Sequence, residues 1–320
     1  MSFGLLFPGQ GTQHREMLPW LEDDDAVRRL AYPRGIPADP LHGGAALHEM
    51  ACVLGTDWRA RLAEAGWADS NAVAQPLLVG VAIAAWEALR GELPRPAAVA
   101  GYSVGELAAF AVAGVFDAAT ALRLAVSRAA AMDACARAEP GGLLAVSDFA
   151  VAASAAVADR HGLALAIRLG DRQCILGGAL AKLDAAEAAL AAAGARCKRL
   201  AIHVASHTPL MAEASIVLGE ALAATPFARP DAMVICNADA RGARDPAVLR
   251  QALAAQVSRP IAWDACMDTL AERGPRCVLE LGPGTTLAKL WNARHPAIPA
   301  RAIDEFRSSA AAVAWVRGLA

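Results

Sequence analysis

The chain has 320 residues, of which 56% are hydrophobic and 19% are charged, and this composition excludes a disordered, collagen-like or coiled-coil protein. Its 30 basic and 32 acidic residues leave a formal net charge of −2, so no overall field favours a nucleic acid or an anionic membrane as a partner. The seven cysteines contain no Cys-x-x-Cys pair, the spacing typical of zinc sites, and we expect reduced thiols in a cytoplasmic protein without a metal site.

Short apolar segments alternate with long alanine-rich stretches along most of the chain. The first segment, residues 5–7, predicts a strand, because it lacks the basic start and the length of a signal peptide. Further strands are predicted at 97–102, 233–236 and 278–281, with helices between them. The longest uncharged stretch, 70–86, is shorter than the roughly 18 apolar residues of a membrane span, so we predict no membrane segment. The alternation predicts an α/β fold with a mostly parallel sheet.

The pattern changes between about residues 141 and 204. There the order is strand, helix, two strands joined by a Gly-Asp turn, helix and strand, which is the βαββαβ order of ferredoxin-like units. The α/β alternation resumes afterwards. We therefore predict a large α/β domain over 1–140 and 205–320, with a ferredoxin-like subdomain inserted at 141–204.

Residues 7–13, Phe-Pro-Gly-Gln-Gly-Thr-Gln, directly follow the first predicted strand. Their two glycines let the backbone approach a ligand and offer N–H donors, which suits half of an oxyanion hole. An ordinary βα turn is the alternative, and for this segment taken alone it is the more common case. A phosphate loop fits poorly, because no Gly-Lys-Ser or Gly-Lys-Thr follows.

Residues 101–106, Gly-Tyr-Ser-Val-Gly-Glu, lie between a predicted strand and a predicted helix. This is the G-x-S-x-G pattern of a nucleophile elbow in its strand–turn–helix context. Side chains at Gly101 and Gly105 would collide in so tight a turn. The turn presents the Ser103 hydroxyl at a helix N-terminus, where free N–H groups stabilise an oxyanion. A chance Gly-Ser turn is the alternative, and the flanking pattern disfavours it.

The next predicted helix, capped by Asp117, carries a charge on its apolar face. The residues of that face are Ala121, Leu124, Ala125, Arg128 and Met132. A buried guanidinium needs a partner, and its planar fork matches a carboxylate. That partner is either an internal Asp or Glu, which is the more common case, or the carboxylate of a substrate.

A serine hydroxyl needs a base to act as a nucleophile. Among the seven histidines, His207 has the most suggestive setting: it follows a strand predicted to end at Val204 and precedes Pro209, which prevents that strand from continuing. His203, on the same predicted strand, is the nearest competitor. Position in the sequence does not by itself establish that either histidine meets Ser103.

The motifs, in this order and spacing, resemble the malonyl-CoA:acyl-carrier-protein transacylase family. The likeness extends nearly end to end, and its matching segments are residues 9–13, 75–76, 101–106, 128, 206–211, 256–263 and 280–284. The resemblance implies a hydrolase-like α/β domain that carries a ferredoxin-like insert, in agreement with the pattern of elements.

The resemblance also implies an activity: transfer of a malonyl group from malonyl-CoA to the phosphopantetheine-type thiol of an acyl carrier protein. No bound cofactor and no metal are implied, and neither a nucleic acid nor a membrane is an implied partner. The implied roles are Ser103 as acylated nucleophile, His207 as base, the main-chain N–H groups of Gln10 and Val104 as oxyanion hole, Arg128 and Gln75 as substrate-binding residues, and Gln256 as the residue that orients the histidine.

The chain departs from the usual family pattern at three places. Tyr102 stands where members of fatty acid synthesis usually have His, residues 168–173 replace an Asn-Ser-Pro-Gly-Gln stretch, and the histidine motif reads Val-Ala-Ser-His. The first and last departures are similar to the epsilon subunit of malonate decarboxylase. We expect that role, with a transacylase of fatty acid or polyketide synthesis as the alternative.

Carrier proteins of this kind are usually acidic, so a basic rim on the insert is expected, with a merely solvated face as the alternative. The residues in question are Arg168, Arg172, Arg196, Lys198 and Arg199.

Two other functions compete with acyl transfer. A serine thioesterase or esterase uses the same elbow, but an α/β-hydrolase places its acid and then its histidine late in the chain, whereas 113 residues follow His207. The second competitor is a non-enzymatic scaffold subunit with a vestigial acyl site.

Overall fold

Two β-sheets organise the part of the chain that the computed structural model describes, residues 2–21 and 44–320. In chain order the strands are β1 (Phe3–Phe7), β2 (Ala98–Gly101), β3 (Gly141–Ser147), β4 (Ala164–Gly170), β5 (Gln173–Ala179), β6 (Arg196–Arg199), β7 (Met233–Ile235), β8 (Gly242–Ala243), β9 (Ile261–Ala262), β10 (Cys277–Glu280) and β11 (Ala300–Ala302). The α-helices are α1 (Ala45–Leu54), α2 (Trp58–Arg61), α3 (Asn71–Leu89), α4 (Gly105–Val112), α5 (Ala118–Ala138), α6 (Val151–Arg160), α7 (Leu180–Ala192), α8 (Ala212–Ala223), α9 (Pro246–Ala255), α10 (Trp263–Ala271), α11 (Thr286–Arg294) and α12 (Ser309–Leu319). The predicted α/β fold class is confirmed.

The larger sheet has the strand order β11-β10-β1-β2-β7-β8. All its neighbours are parallel except β8, which pairs antiparallel with β7. Every residue of β1 and β2 is buried, as expected for central parallel strands with both faces covered. Because β1, β2 and β7 run in the same direction, the loops that follow them emerge at one edge of the sheet.

Helix α3 packs against α1, α4, α5 and α12 in the core. With 19 residues and a mean hydropathy of 1.6, it is long and apolar enough to cross a membrane by those two criteria. However, 83% of its 18-residue apolar window is buried inside the fold, which is typical of the central helix of a globular domain. Its contact with α5 brings Gln75 next to Arg128.

The smaller sheet has the order β6-β3-β5-β4-β9. Strands β3 to β6 pair antiparallel, while β9 adds in parallel to β4 with Ile261 opposite Ile167. Helices α6 and α7 pack on this sheet through a separate apolar cluster that includes Val157, Leu183 and Leu190. The elements follow the predicted βαββαβ succession. The boundaries 1–140, 141–204 and 205–320 stay a prediction, and β9 shows that the smaller sheet includes residues beyond 204.

The strand predicted to end at Val204 ends at Arg199 instead. Leu200 still donates to the Leu143 carbonyl, and then the chain leaves the sheet. It crosses over Gly141, where a Cβ atom would lie 2.9 Å from that of Ala205. The absence of side chains at the start of β3 therefore lets residues 202–205 pass over the strand rather than extend the pairing. His207 consequently lies in an irregular segment before the 3-10 helix Pro209–Met211, not at a strand exit.

Candidate active site

The turn between β2 and α4 is as tight as its glycines predict. A Cβ atom at Gly101 would lie 2.2 Å from the amide nitrogen of Glu106, and one at Gly105 would lie 2.3 Å from the carbonyl oxygen of Phe7. Between them, Ser103 has φ of 55°, in the left-handed region. Such a conformation costs about 1–3 kcal/mol for a residue other than glycine and persists only where the surrounding structure enforces it.

The imidazole of His207 meets the Ser103 hydroxyl. Nε2 of His207 lies 2.8 Å from Oγ of Ser103, and Nδ1 lies 2.6 Å from the carbonyl oxygen of Gln256. Because a carbonyl oxygen only accepts, Nδ1 carries the proton and Nε2 is free to accept one from the hydroxyl. The competitor His203 is exposed, whereas His207 is fully buried.

Burial and the nearby Arg128 charge lower the pKa of His207 to about 3. The imidazole is therefore neutral at physiological pH, the state that a general base requires.

Arg128 lies on the buried face of α5, as its periodicity predicts, and is 2% exposed. Its Nη1 donates to Oε1 of Gln75 at 2.9 Å and its Nη2 donates to Oγ of Ser103 at 3.2 Å. Within residues 2–21 and 44–320, no Asp or Glu oxygen lies within 4.0 Å of its nitrogens. Burial lowers its pKa to about 10, so the guanidinium stays charged at neutral pH without an ion-pair partner in this part of the chain.

Gln75 and Gln256 both lie behind the reacting groups. Nε2 of Gln75 contacts Sδ of Met132 at 3.6 Å, which turns Oε1 of Gln75 toward Arg128. Nε2 of Gln256 lies 3.4 Å from the carbonyl oxygen of Ser103. Neither glutamine lines the cavity in front of Ser103. Gln75 is thus placed to hold the guanidinium, and its predicted contact with a substrate stays a prediction.

Gln10 and Val104 line the same small cavity as Ser103, which has a volume of about 60 Å³. Neither of their main-chain amides donates a hydrogen bond within the described ranges. The N–H of Ser103 itself is occupied, because it donates to Oδ1 of Asn237 at 2.9 Å. Val104 immediately precedes α4, where the helix dipole adds positive potential. Two donors of this kind suit an oxyanion beside Oγ of Ser103.

The walls of the cavity are mostly apolar and come from both sheets. They comprise Tyr102, Met132, Leu143, Ile167, Ile175, Leu200, Ile202 and Val204. The cavity therefore lies between the two sheets, with the polar groups gathered at Ser103. Among the described residues, no group of His, Cys, Asp and Glu is arranged to hold a metal ion.

The sequence interpretation missed Asn237 and Glu106. Asn237 follows the buried strand β7, and its side chain bonds to the turn that holds Ser103. Glu106 is fully buried in the first turn of α4, and burial raises its pKa to about 8 against the opposing effects of the Asn237 N–H and Arg128. A polar residue two positions after an apolar parallel strand was the available signal for Asn237.

Most of the predicted basic rim is neutralised by the protein itself. Arg168 pairs with Asp264 at 2.9 Å, and Arg199 pairs with Glu187 at 2.7 Å. Arg196 pairs with the carboxylate of Asp148, whereas Arg172 donates only to the main-chain carbonyl oxygen of Asp148. Lys198 is exposed, and neither Lys198 nor Arg172 has an ion pair within the described ranges, so these two of the five predicted cations lack an acidic partner there.

Comparisons with known proteins agree with this geometry. Residues 5–295 match the family model of the acyl transferase domain. The chain is 34% identical over 293 residues to the malonyl CoA-acyl carrier protein transacylase of Mycolicibacterium smegmatis, an alignment that covers 90% of this chain and 96% of that protein.

Solved structures are similar over almost the whole chain. The crystal structure of malonyl-CoA:acyl carrier protein transacylase from Xanthomonas oryzae superimposes with a TM-score of 0.83 at 30% identity, covering 98% of this chain and 99% of that one. A malonyl-transacylase solved in complex with its type II PKS acyl-carrier protein superimposes with a TM-score of 0.84 at 26% identity, covering 98% and 99%.

Proposed function

Because this chain belongs to the acyl transferase family and, within it, to the malonyl CoA-acyl carrier protein transacylases, we propose that it moves a malonyl group from CoA to the thiol of a carrier protein. One observation carries the proposal: Oγ of Ser103 lies 2.8 Å from Nε2 of His207 and 3.2 Å from Nη2 of Arg128. A nucleophile, a base and a carboxylate receptor thus meet at one oxygen atom.

In the first step, Oγ of Ser103 attacks the thioester carbonyl of malonyl-CoA while Nε2 of His207 takes the hydroxyl proton. The N–H groups of Gln10 and Val104 donate to the tetrahedral oxyanion. When the intermediate collapses, the C–S bond breaks, the sulfur of CoA takes the proton from His207, and a malonyl ester remains on Ser103. Loss of one such donor typically costs about 3 kcal/mol of barrier.

In the second step, the thiol of the carrier's phosphopantetheine-type arm enters. His207 takes the thiol proton, the sulfur attacks the ester carbonyl, and the same main-chain donors hold the oxyanion. Collapse breaks the C–O bond, and the proton returns from His207 to Oγ of Ser103. The two steps use the residues of this chain, with malonyl-CoA and the thiol of the carrier arm as substrates and CoA as the released product.

The choice of acyl group rests with Arg128. Its buried guanidinium interacts with the charge of Glu106 but has no ion-pair partner within the described ranges, so the malonyl carboxylate would supply a direct partner in a fork-to-fork pair. Breaking a buried charge pair costs about 3–5 kcal/mol. An acyl group without a carboxylate should therefore be a poor substrate.

The proposal is tested by intact mass spectrometry after mixing the protein with malonyl-CoA. We expect a covalent malonyl adduct that is lost in Ser103→Ala and retained in Ser206→Ala, since Ser206 lines the same cavity but its hydroxyl makes no hydrogen bond to His207. A folded protein that forms no adduct would contradict the proposal. Rapid hydrolysis of malonyl-CoA without any acceptor would favour a thioesterase instead.

A finer proposal concerns the carrier protein. Tyr102 and the Val-Ala-Ser-His motif support the epsilon subunit of malonate decarboxylase, whereas the relatives above are named as transacylases and support the general activity better. Purified holo-carriers from malonate decarboxylase and from fatty acid synthesis should be offered separately to the malonylated enzyme. Faster transfer to the decarboxylase carrier is expected under the finer proposal, and preference for the other carrier would reject it while leaving the general function intact.

A further inference from the structure

The structure assigns a positioning role to Asn237, which we propose holds Ser103 in the conformation that its reaction requires. Asn237 follows β7, whose residue Ile235 pairs with Ala100 of β2. This register places the asparagine side chain beside the turn that carries Ser103. The inference rests on the proposed role of Ser103 as the nucleophile.

The side-chain amide of Asn237 bonds to the turn on both sides of Tyr102. Oδ1 accepts the N–H of Ser103 at 2.9 Å, and Nδ2 donates to the carbonyl oxygen of Gly101 at 2.6 Å. A main-chain N–H only donates and a carbonyl oxygen only accepts, so these partners fix which end of the amide faces which group. Asparagine supplies one acceptor and one donor at this spacing on a short side chain.

The backbone of Asn237 is held in turn by the helix that follows the nucleophile. Its N–H donates to Oε1 of Glu106 at 2.8 Å, and Glu106 is fully buried in the first turn of α4. Asn237 thereby connects the end of β2, the amide of Ser103 and the start of α4. These contacts hold the turn from Gly101, at the end of β2, to Glu106, in the first turn of α4.

This arrangement explains two features of the site. Ser103 has φ of 55°, and a strained conformation persists only where its surroundings over-determine it. The bond to Oδ1 of Asn237 also withdraws the Ser103 N–H from the cavity, leaving the amide of Val104 as the local donor there. Asn237 does not touch the reacting atoms. It acts through the direction of Oγ of Ser103 relative to His207.

The test compares Asn237→Ala and Asn237→Asp with the wild type in single-turnover loading by malonyl-CoA and, separately, acetyl-CoA, followed by rapid quench and intact mass spectrometry. The Asp variant keeps the side-chain volume and an acceptor but loses the donor to Gly101, so it carries the test if the Ala variant does not fold. Since misplacement of a reacting group by about 1 Å costs up to 100-fold, we expect acylation to slow about 10- to 100-fold.

Two readouts separate positioning from a general loss of structure. Acylation should slow equally with malonyl-CoA and with acetyl-CoA. KM for malonyl-CoA should change by less than about twofold, because the guanidinium of Arg128, which is proposed to select the acyl group, is unchanged. Asn292→Ala is the matched control. Like Asn237, Asn292 uses both ends of its side-chain amide to bond to main-chain groups, here the N–H and the carbonyl oxygen of Ala300, elsewhere in the fold. That variant should load at the wild-type rate.

Folded Asn237 variants that load at the wild-type rate would overturn the inference. Slowing matched by Asn292→Ala, or a change in KM without a change in rate, would overturn it equally. Failure of the proposed function is distinguishable, because in that case the wild-type protein itself forms no adduct on Ser103.

Discussion

Replacing Arg128 by alanine should change which acyl group the protein accepts. The guanidinium is 2% exposed, and its hydrogen bonds go to Gln75 and Ser103, not to an acid of the described chain. A malonyl carboxylate that enters the Arg128→Ala site is desolvated without a counter-charge, at a cost of about 3–5 kcal/mol. At about 1.4 kcal/mol for each factor of ten, malonyl loading should fall about 100- to 4,000-fold.

Acetyl loading should respond in the opposite way. An acetyl group has no carboxylate, and in the wild type it covers an unpaired buried cation, so the alanine variant should load acetyl-CoA as fast as the wild type or faster. The assay is single-turnover loading with each donor, read by intact mass spectrometry. Arg250→Ala is the control, because Arg250 is half-buried and bonds to the carbonyls of Leu222 and Thr225. Equal losses for both donors in Arg128→Ala would mean that the arginine is merely structural and would refute the reasoning.

Further predictions concern the base, the carrier and the turn. The pKa of His207 is lowered to about 3, so the imidazole stays unprotonated in mildly acidic solution. The rate of single-turnover acylation should therefore not fall near pH 6.5 through protonation of His207, and a half-maximal rate at that pH would contradict this prediction. Lys198→Glu should raise KM for an acidic carrier up to about fivefold and leave KM for malonyl-CoA unchanged. Lys182 is also exposed, and Lys182→Glu should change neither KM value. An unchanged KM for the carrier in Lys198→Glu would reject a docking role for Lys198. Gly105→Ala should lower the free energy of unfolding by at least about 1–3 kcal/mol in denaturant titrations, because its Cβ would meet backbone atoms of β1, while Gly91→Ala, with open space around its Cβ, should not.

Features that depend on residues close together in the sequence were predictable from the sequence alone. The glycines around Ser103 identified a turn that admits no side chains, and the apolar periodicity of α5 identified Arg128 as buried. The predicted N-cap of that helix is also present, since Asp117 accepts the N–H of Thr120 at 2.8 Å. Steric exclusion in a turn and the 3.6-residue period of a helix act over a few residues, so the local sequence is enough to determine them.

Contacts between segments that lie far apart in the sequence were not predictable from local sequence. Sequence position favoured His207 over His203 without settling which one meets Ser103, and it extended the strand that ends at Arg199 as far as Val204. The sequence contained no direct signal that the N–H of Asn237 donates to the side chain of Glu106 beside Ser103.

These contacts follow from which strands are neighbours and in what register. The pairing of β2 with β7 brings residues 103 and 237 together although 134 positions separate them. A carbonyl oxygen such as that of Gln256 carries no side-chain signature at all, so its bond to His207 is visible only in the folded chain. The sequence by itself determined the local shape of the turn around Ser103 and the burial of Arg128. Only the tertiary structure decided which groups face them, because sheet order and helix packing depend on the free energy of the whole fold rather than on any local preference.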